Sequence, residues 1–334
     1  MYNIPYHGDK DLSKLSFLVI GGAGFIGSNM VAYLLKYGAG KVRILDDFST
    51  GSLKNLEGFS FYPSFELMGG DVTNLEDCNN AVKGIDIIIH EARLKNPAED
   101  INDAKIKDLN MMIAANVAGV KRIVDCASSF IYGINQVLPA ESQQIENALS
   151  SCVIAKYVNE LYSDITSGIY GSEYIGLRYS NVFGPGGNSA NTETSLIPDL
   201  ISSLIEHKTP EINVKGIKTR NFTYIENVVQ ATIIAAISDR SIAMNQIYNV
   251  ANGNGSSLND LAVNLRDILA LVDPDIADID ISYDIESSED ELFPKNIAKS
   301  ENLQCYYPYF SLKEALMETV RFYLEQPKRS QIFN

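Results

Sequence analysis

Apolar and polar positions along this chain alternate between two rhythms. Short apolar runs, the first from Phe17 to Ile20, have the length and composition of strands buried on both faces. Other stretches repeat apolar residues at helical spacing. From Phe25 to Tyr37, for example, Ile26, Met30, Leu34 and Leu35 share one face. Strand patterns fall at 16–20, 41–46, 66–69, 86–90 and 121–127, with helices between them, and again from Ile175 to Arg178. A long helix is predicted from Ser150 to Tyr170. This alternation predicts the α/β class, a doubly wound parallel sheet with right-handed crossovers. Further on, helices at 194–206, 224–239, 257–270 and 311–325 are separated by short strands at 211–214, 246–250 and 279–283. The chain therefore divides into a polar lead-in outside the core (1–14), a sheet domain (15–180) and a smaller mixed α/β part (181–334). From that last part a strand and a helix around 220–250 return to the sheet domain. It caps the sheet and forms the far wall of a cleft.

The first strand runs directly into Gly21, Gly24 and Gly27 and then into the first amphipathic helix. Strand, glycine turn and helix together are the context in which this spacing acts as a phosphate cradle. Gly21 allows the tight turn, Gly24 lets the backbone approach a pyrophosphate, and Gly27 lets the helix lie close to the strand. The helix N-terminus offers free N–H groups to the anion. The second strand ends at Asp46, 19 residues after Gly27 and followed by Asp47. An acid there hydrogen-bonds an adenosine ribose and repels a 2′-phosphate, which favours NAD over NADP. Asp71 closes the third strand, either accepting from an adenine amino group or capping a helix over Thr73 to Val82. His90 reads as a packed strand-end residue. Ser128, at the carboxyl end of the fifth strand, is placed to touch a substrate hydroxyl.

Composition narrows the partners. Of 334 residues, 46% are hydrophobic and 21% charged, as in an ordinary globular protein. Net charge is 27 − 42 = −15, which repels nucleic acid and anionic membrane surfaces. No run is apolar and long enough to span a bilayer, and residues 1–14 lack a signal-peptide core. Cys78, Cys126, Cys152 and Cys305 have neither metal-ligand nor disulfide-framework spacing, so no metal is expected. Free thiols and a cytoplasmic location fit this pattern.

A set of motifs then carries a family resemblance. These are GGAGFIGSN at 21–29, LDDFSTG at 45–51, GGDVTNLEDCNNA at 69–81, SS-x-x-YG at 128–133 and KYVNELY at 156–162. Further along come GLRYSNVFGPGG at 176–187, RNFTYIENVVQA at 220–231 and QIYNVANG at 246–253. The chain resembles the extended short-chain dehydrogenases/reductases of the nucleotide-sugar epimerase/dehydratase group, and most of all the UDP-N-acetylglucosamine C4-epimerases. The resemblance implies a Rossmann fold that keeps NAD bound. Its implied cofactor contacts are Gly21, Gly24, Phe25, Ile26, Gly27, Asp46, Asp47, Ser49, Thr50, Gly51, Asp71, Val72, Ala92 and Lys156. The implied substrate contacts are Ser129, Asn181, Arg220 and Tyr224, although Asn181 and Tyr224 read equally well as loop-capping or core residues. The implied reaction is C4 epimerisation of a UDP-hexose or UDP-N-acetylhexosamine. A 4-keto sugar forms, turns over and is reduced on its other face. A homodimer is the expected assembly.

In that family a Tyr four residues before the Lys removes the 4-OH proton, with a Ser beside it. A phenol with a pKa of about 10 needs a neighbouring ammonium and the nicotinamide cation to act as a base near neutrality. Here the position holds Cys152, four residues before Lys156. Its sulfur would fall roughly 3–4 Å short of a phenol oxygen, by ordinary bond lengths. A thiol of pKa about 8.5 beside Lys156 can become a thiolate, or Cys152 can be an inert buried thiol. Other departures are Arg93 in place of a small residue, the KNPAED loop at 95–100, a shortened segment before Asn110, and Ser180 in place of an aromatic. The stretch Asp273 to Glu291 also holds nine acids and no base where the family places an Arg for the diphosphate. Two functions follow: an NAD-dependent UDP-sugar C4-epimerase using Ser128, Cys152 and Lys156, or a catalytically silent NAD-binding relative serving as scaffold, sensor or partner of an active paralogue.

Overall fold

A computed structural model describes residues 1–91, 101–128, 169, 171–187, 196–212, 219–239, 246–250, 255–283 and 306–325. Its centre is a seven-stranded sheet. The strands are β1 (Ser16–Ile20), β2 (Lys41–Asp46), β3 (Phe65–Gly69), β4 (Ile87–His90), β5 (Arg122–Ser128), β6 (Glu173–Tyr179) and β11 (Gln246–Val250). Their spatial order is β3-β2-β1-β4-β5-β6-β11, and each neighbouring pair is parallel. The order reverses between β1 and β4, and this switch point is where a doubly wound sheet opens a crevice at its carboxyl edge.

The two-residue period of each strand sorts the core into two layers. Phe17, Val19, Val42, Ile44, Ile89 and Val124 face a cluster with Met30 and Leu34 of α1 (Phe25–Lys36) and Val228 and Val229 of α5 (Ile225–Ile237). Leu18, Ile20, Leu45, Ile88 and Ile123 face the opposite cluster. It includes Cys78 and Ala81 of α2 (Leu75–Ala81) and Met111 and Ala115 of α3 (Ile101–Ala118). Each fully buried aliphatic side chain contributes on the order of 1.5–3 kcal/mol. That is why the strands read as apolar runs and not as alternations.

Three expectations need correction. The first concerns the lead-in at 1–14, which is not outside the core. Tyr2 is 3% and Leu12 2% exposed, and both belong to the α1 layer. The Tyr2 N–H donates to Glu226 Oε2 (3.0 Å), the Tyr6 N–H donates to the Tyr33 hydroxyl (2.6 Å), and Tyr6 stacks on Tyr33 with centroids 5.4 Å apart. Aromatic residues spread through a polar stretch have no period, so the pattern did not reveal them.

Secondly, no α-helix joins β2 to β3. Two single-turn helices, Leu53–Leu56 and Phe59–Phe61, fill that link, and Gly58 turns the chain at φ +85°. The segment instead folds back onto the glycine turn, with the Ser52 N–H and Asn55 Nδ2 both donating to the Ala23 carbonyl (2.9 and 2.8 Å). Thirdly, the strand expected at 279–283 is only β13 (Ser282–Tyr283), preceded by a helical turn at Pro274–Asp278.

Beyond the sheet, α4 (Leu196–Ile205), α6 (Leu258–Ala270) and α7 (Leu312–Glu325) match the later helical patterns. Asn227 ties α5 to the segment ahead of α7: its Nδ2 donates to the Phe310 carbonyl (2.9 Å) and its Oδ1 accepts the Phe310 N–H (3.0 Å). Among the described residues no helix is long and apolar enough to cross a membrane.

Candidate functional site

The glycine turn is built as a cradle. Gly21 adopts φ +73°, and its N–H donates to the Leu45 carbonyl (2.9 Å). Gly24 is the N-cap of α1 and supplies no side-chain cap, so the first N–H groups of the helix point outward without an internal acceptor. A side chain at Gly24 would crowd the Gly21 carbonyl at 3.1 Å, and one at Gly27 would collide with it at 2.2 Å. Gly51 lies over the same turn, where a Cβ would come within 2.8 Å of Ala23. A backbone cradle with uncapped amides at a helix start fits the diphosphate of a dinucleotide.

Asp46 stands beside this turn, 7% exposed, at the end of β2. Its Oδ2 accepts from the Ala23 N–H and its Oδ1 from the Phe48 N–H, both at 2.8 Å. Burial, with Asp47 adding to it, holds its pKa above the usual carboxylate range even though the two backbone donors oppose the shift. The carboxylate thus fixes the turn. Asp47 Oδ1 accepts the Ser49 N–H (2.8 Å), which shapes the loop carrying Ser49, Thr50 and Gly51. Phe25 and Ile26 open α1, partly buried.

At the end of β3, Asp71 Oδ1 accepts the Thr73 N–H (2.8 Å). It does not cap the following helix: Asn74 does, accepting the Glu76 N–H at 2.9 Å. Val72, 8% exposed, packs beside it. His90 is buried, with Nδ1 3.0 Å from Asp125 Oδ1, and Asp125 Oδ2 accepts from the Tyr174 hydroxyl (2.8 Å). That geometry matches the packed strand-end reading.

Ser128 is the last residue of β5, registered against Tyr179 of β6. Ala92, Ser129, Cys152 and Lys156 lie outside the described residues, as do Arg93 and the loop at 95–100. Asn181 follows β6 with φ +37° and donates through Nδ2 to the Asn221 carbonyl (2.8 Å), bracing the loop between β6 and β7 (Val182–Phe183). Arg220, half-buried, ends β9 (Thr219–Arg220) and pairs with Ser256 of β12 (Ser256–Ser257). Tyr224 is the core residue of the two readings. It is 0% exposed and packs against Phe183 and Phe310.

Sequence reasoning missed the buried polar groups that meet across elements. Glu226 of α5 anchors the lead-in. Glu91, Cys126, Tyr179 and Thr232 form a network at the carboxyl edge of the sheet. The one available signal was a carboxylate directly after the apolar run of β4.

A parallel sheet with its order reversed beside an uncapped glycine turn, and an acid at the end of the next strand, defines a dinucleotide-binding α/β protein. Comparison with known proteins narrows this class. The chain belongs to the NAD dependent epimerase/dehydratase family, whose model matches residues 17–251. It is 32% identical over 254 residues to a putative UDP-glucose 4-epimerase of Methanocaldococcus jannaschii, covering 73% of this chain and 79% of that one. It also resembles the structure of a UDP-N-acetylglucosamine 4-epimerase from Methanobrevibacter ruminantium in complex with UDP-N-acetylmuramic acid. That match has a TM-score of 0.82 and 28% identity, and covers 94% of this chain and 99% of that one. A UDP-glucose 4-epimerase with UDP-glucose from Thermotoga maritima matches with a TM-score of 0.80 and 25% identity, covering 93% and 99%.

Proposed function

We propose that this chain is an NAD-dependent nucleotide-sugar 4-epimerase acting on a UDP-hexose or UDP-N-acetylhexosamine. The single observation that carries the reading is the backbone cradle at Gly21 to Gly27 with Asp46 locked against it, in a chain of this family. NAD, when bound, supplies the hydride acceptor and donor. The chain's own residues do the rest. The α1 amides hold the diphosphate, and Asp46 selects an unphosphorylated ribose. Ser128 orients the sugar hydroxyl at the end of β5. Lys156 keeps a neighbouring acid–base group ionised. Arg220, with Asn181 nearby, receives the nucleotide diphosphate of the sugar, for which a guanidinium is suited by its bidentate geometry.

Cys152 favours a second reading, the silent NAD-binding relative. A thiol at the phenol's place reaches less far, and direct proton transfer needs hydrogen-bond distance. The experiment incubates the purified protein with UDP-N-acetylglucosamine and with UDP-galactose, follows the products by NMR, and runs Cys152→Tyr and Cys152→Ala in parallel. Turnover in the wild type that is lost in Cys152→Ala supports the epimerase with a thiolate. Turnover confined to Cys152→Tyr supports the silent relative. A protein that binds no NAD overturns both.

A further inference from the structure

Tyr2 spends each of its polar groups on a different partner. Its N–H donates to Glu226 Oε2 in the first turn of α5 (3.0 Å). Its carbonyl accepts from the Tyr37 hydroxyl at the end of α1 (2.8 Å), and its own hydroxyl donates to Asn29 Oδ1 within α1. The backbone at Tyr2 stands at φ +58°, a conformation that a non-glycine residue keeps only where its surroundings enforce it.

Asn29 carries this contact to the cofactor end of α1. Its Nδ2 donates to the Phe25 carbonyl (2.8 Å), which also accepts from Ser28 Oγ (3.1 Å). A carbonyl can only accept, so it takes Nδ2, and Oδ1 is left to receive the hydrogen of Tyr2. Burial, with Glu226 adding to it, pushes the Tyr2 phenol well up, so it stays a donor. Phe25 opens α1, and the amides of this turn are the ones that Gly24 leaves without a side-chain cap.

The other end of the line is fixed. Glu226 is 4% exposed, and residues 225–233 are buried without a break. Glu226 Oε2 also accepts from the Tyr6 hydroxyl (3.2 Å), while the Tyr6 N–H donates to Tyr33 of α1 (2.6 Å). Hydrogen bonds thus run from α5 through Tyr2 and Asn29 to the opening turn of α1.

We infer that Tyr2 is a positioning residue for the dinucleotide: it staples the opening turn of α1 to α5 and so holds the amides that meet the diphosphate. The inference rests on the chain binding NAD at this turn, as proposed above. Docking of the N-terminal segment and binding of NAD then favour each other, because a gain in affinity from one is returned to the other by linkage.

The test measures NAD⁺ affinity by calorimetry, well below the unfolding transition, in the wild type, Tyr2→Phe, Asn29→Ala, the double variant and Lys10→Met. Tyr2→Phe removes the hydroxyl and keeps the packed ring. It is expected to weaken NAD⁺ binding about threefold to tenfold, the range that the net worth of one hydrogen bond allows. Asn29→Ala should do the same, and the double variant should be no weaker than the weaker single one, because the two side chains act in series. Lys10→Met removes an exposed ion pair with Asp239 (2.9 Å) further along the same segment and should stay within about twofold of the wild type. A second readout uses the wild type alone. NAD⁺ is expected to slow hydrogen exchange at the Tyr2 and Tyr6 amides, followed by NMR, about threefold or more beyond its effect on the amides of α6, which report global stabilisation. A purely structural segment would show no such selective slowing. Should a variant not fold, this measurement decides by itself. Unchanged affinity in Tyr2→Phe, losses that add in the double variant, or exchange slowed no more than in α6 overturns the inference while leaving NAD binding intact. A wild type that binds no NAD⁺ overturns it together with the reading on which it rests.

Discussion

Gly27→Ala adds a single methyl group at the most crowded point of the turn. The new Cβ would meet the Gly21 carbonyl oxygen at 2.2 Å, the Gly22 Cα at 2.8 Å and the Gly21 carbonyl carbon at 2.9 Å. All three are backbone atoms, so no rotamer change relieves the contact. The turn is also pinned on both sides: Gly21 N–H to Leu45 O, Ala23 N–H to Asp46, and Ala23 O to Ser52 and Asn55. In an unconstrained helix interior the same change stabilises by about 0.5–1 kcal/mol. Overpacking a rigid site costs about 1–3 kcal/mol, and with pure backbone contacts the upper end applies. The net expectation is a loss of about 2 kcal/mol, a fall of a few degrees in Tm for a chain of this size. Because α1 must move away from β1, the NAD-dependent rise in Tm should shrink too. Thermal unfolding followed by circular dichroism, with and without NAD, measures both. Gly38→Ala is the control. At φ +71° with nothing within 4 Å of its Cβ, it carries only left-handed strain of about 1–2 kcal/mol and leaves the NAD effect unchanged. A Gly27→Ala protein as stable as the wild type, with its full NAD response, would refute the account of the turn.

Two further outcomes follow from the packing. Tyr2→Ala removes a side chain that is 3% exposed and leaves a cavity between α1 and α5; a loss of about 3 kcal/mol is expected. An unchanged urea midpoint would show that the N-terminal segment does not dock. Asp86 is opposed by burial, but hydrogen bonds from Lys121 Nζ (2.7 Å) and the Ser16 N–H (2.9 Å) outweigh it and hold the carboxyl below its usual range. Its folded pKa lies below the unfolded value of about 3.9, so its stabilisation is present above about pH 4 and fades as pH falls through the folded value. Asp86→Asn should therefore be less stable at neutral pH and lose less stability on acidification. Parallel denaturation curves from pH 7 to pH 3 check this, and an equally steep acid decline in the variant would count against it.

The legible parts of this molecule are those with a local cause. Apolar runs such as Phe17 to Ile20 must be buried on both faces, so the parallel sheet could be read directly from them. Gly21, Gly24 and Gly27 are demanded by backbone geometry within a few residues of one another, and Asp46 sits at a constant remove from them because one helix and one strand span the interval. Asn74 in place of Asp71 as the cap of α2 is a shift of three positions, which local reasoning resolves poorly because both acceptors precede the same turn. What only tertiary structure decided are the meetings of side chains distant in sequence. Tyr2 with Glu226, Tyr224 with Phe310, and Glu91 with Cys126 and Tyr179 bring together polar or aromatic groups that carry no period of their own. These meetings form where helices α1 and α5 close one face of the sheet, and a polar group taken out of water there must find its partner. The chain's local pattern determined that a dinucleotide cradle exists; the packing of α5 against the sheet decided which polar side chains distant in sequence meet at its carboxyl edge.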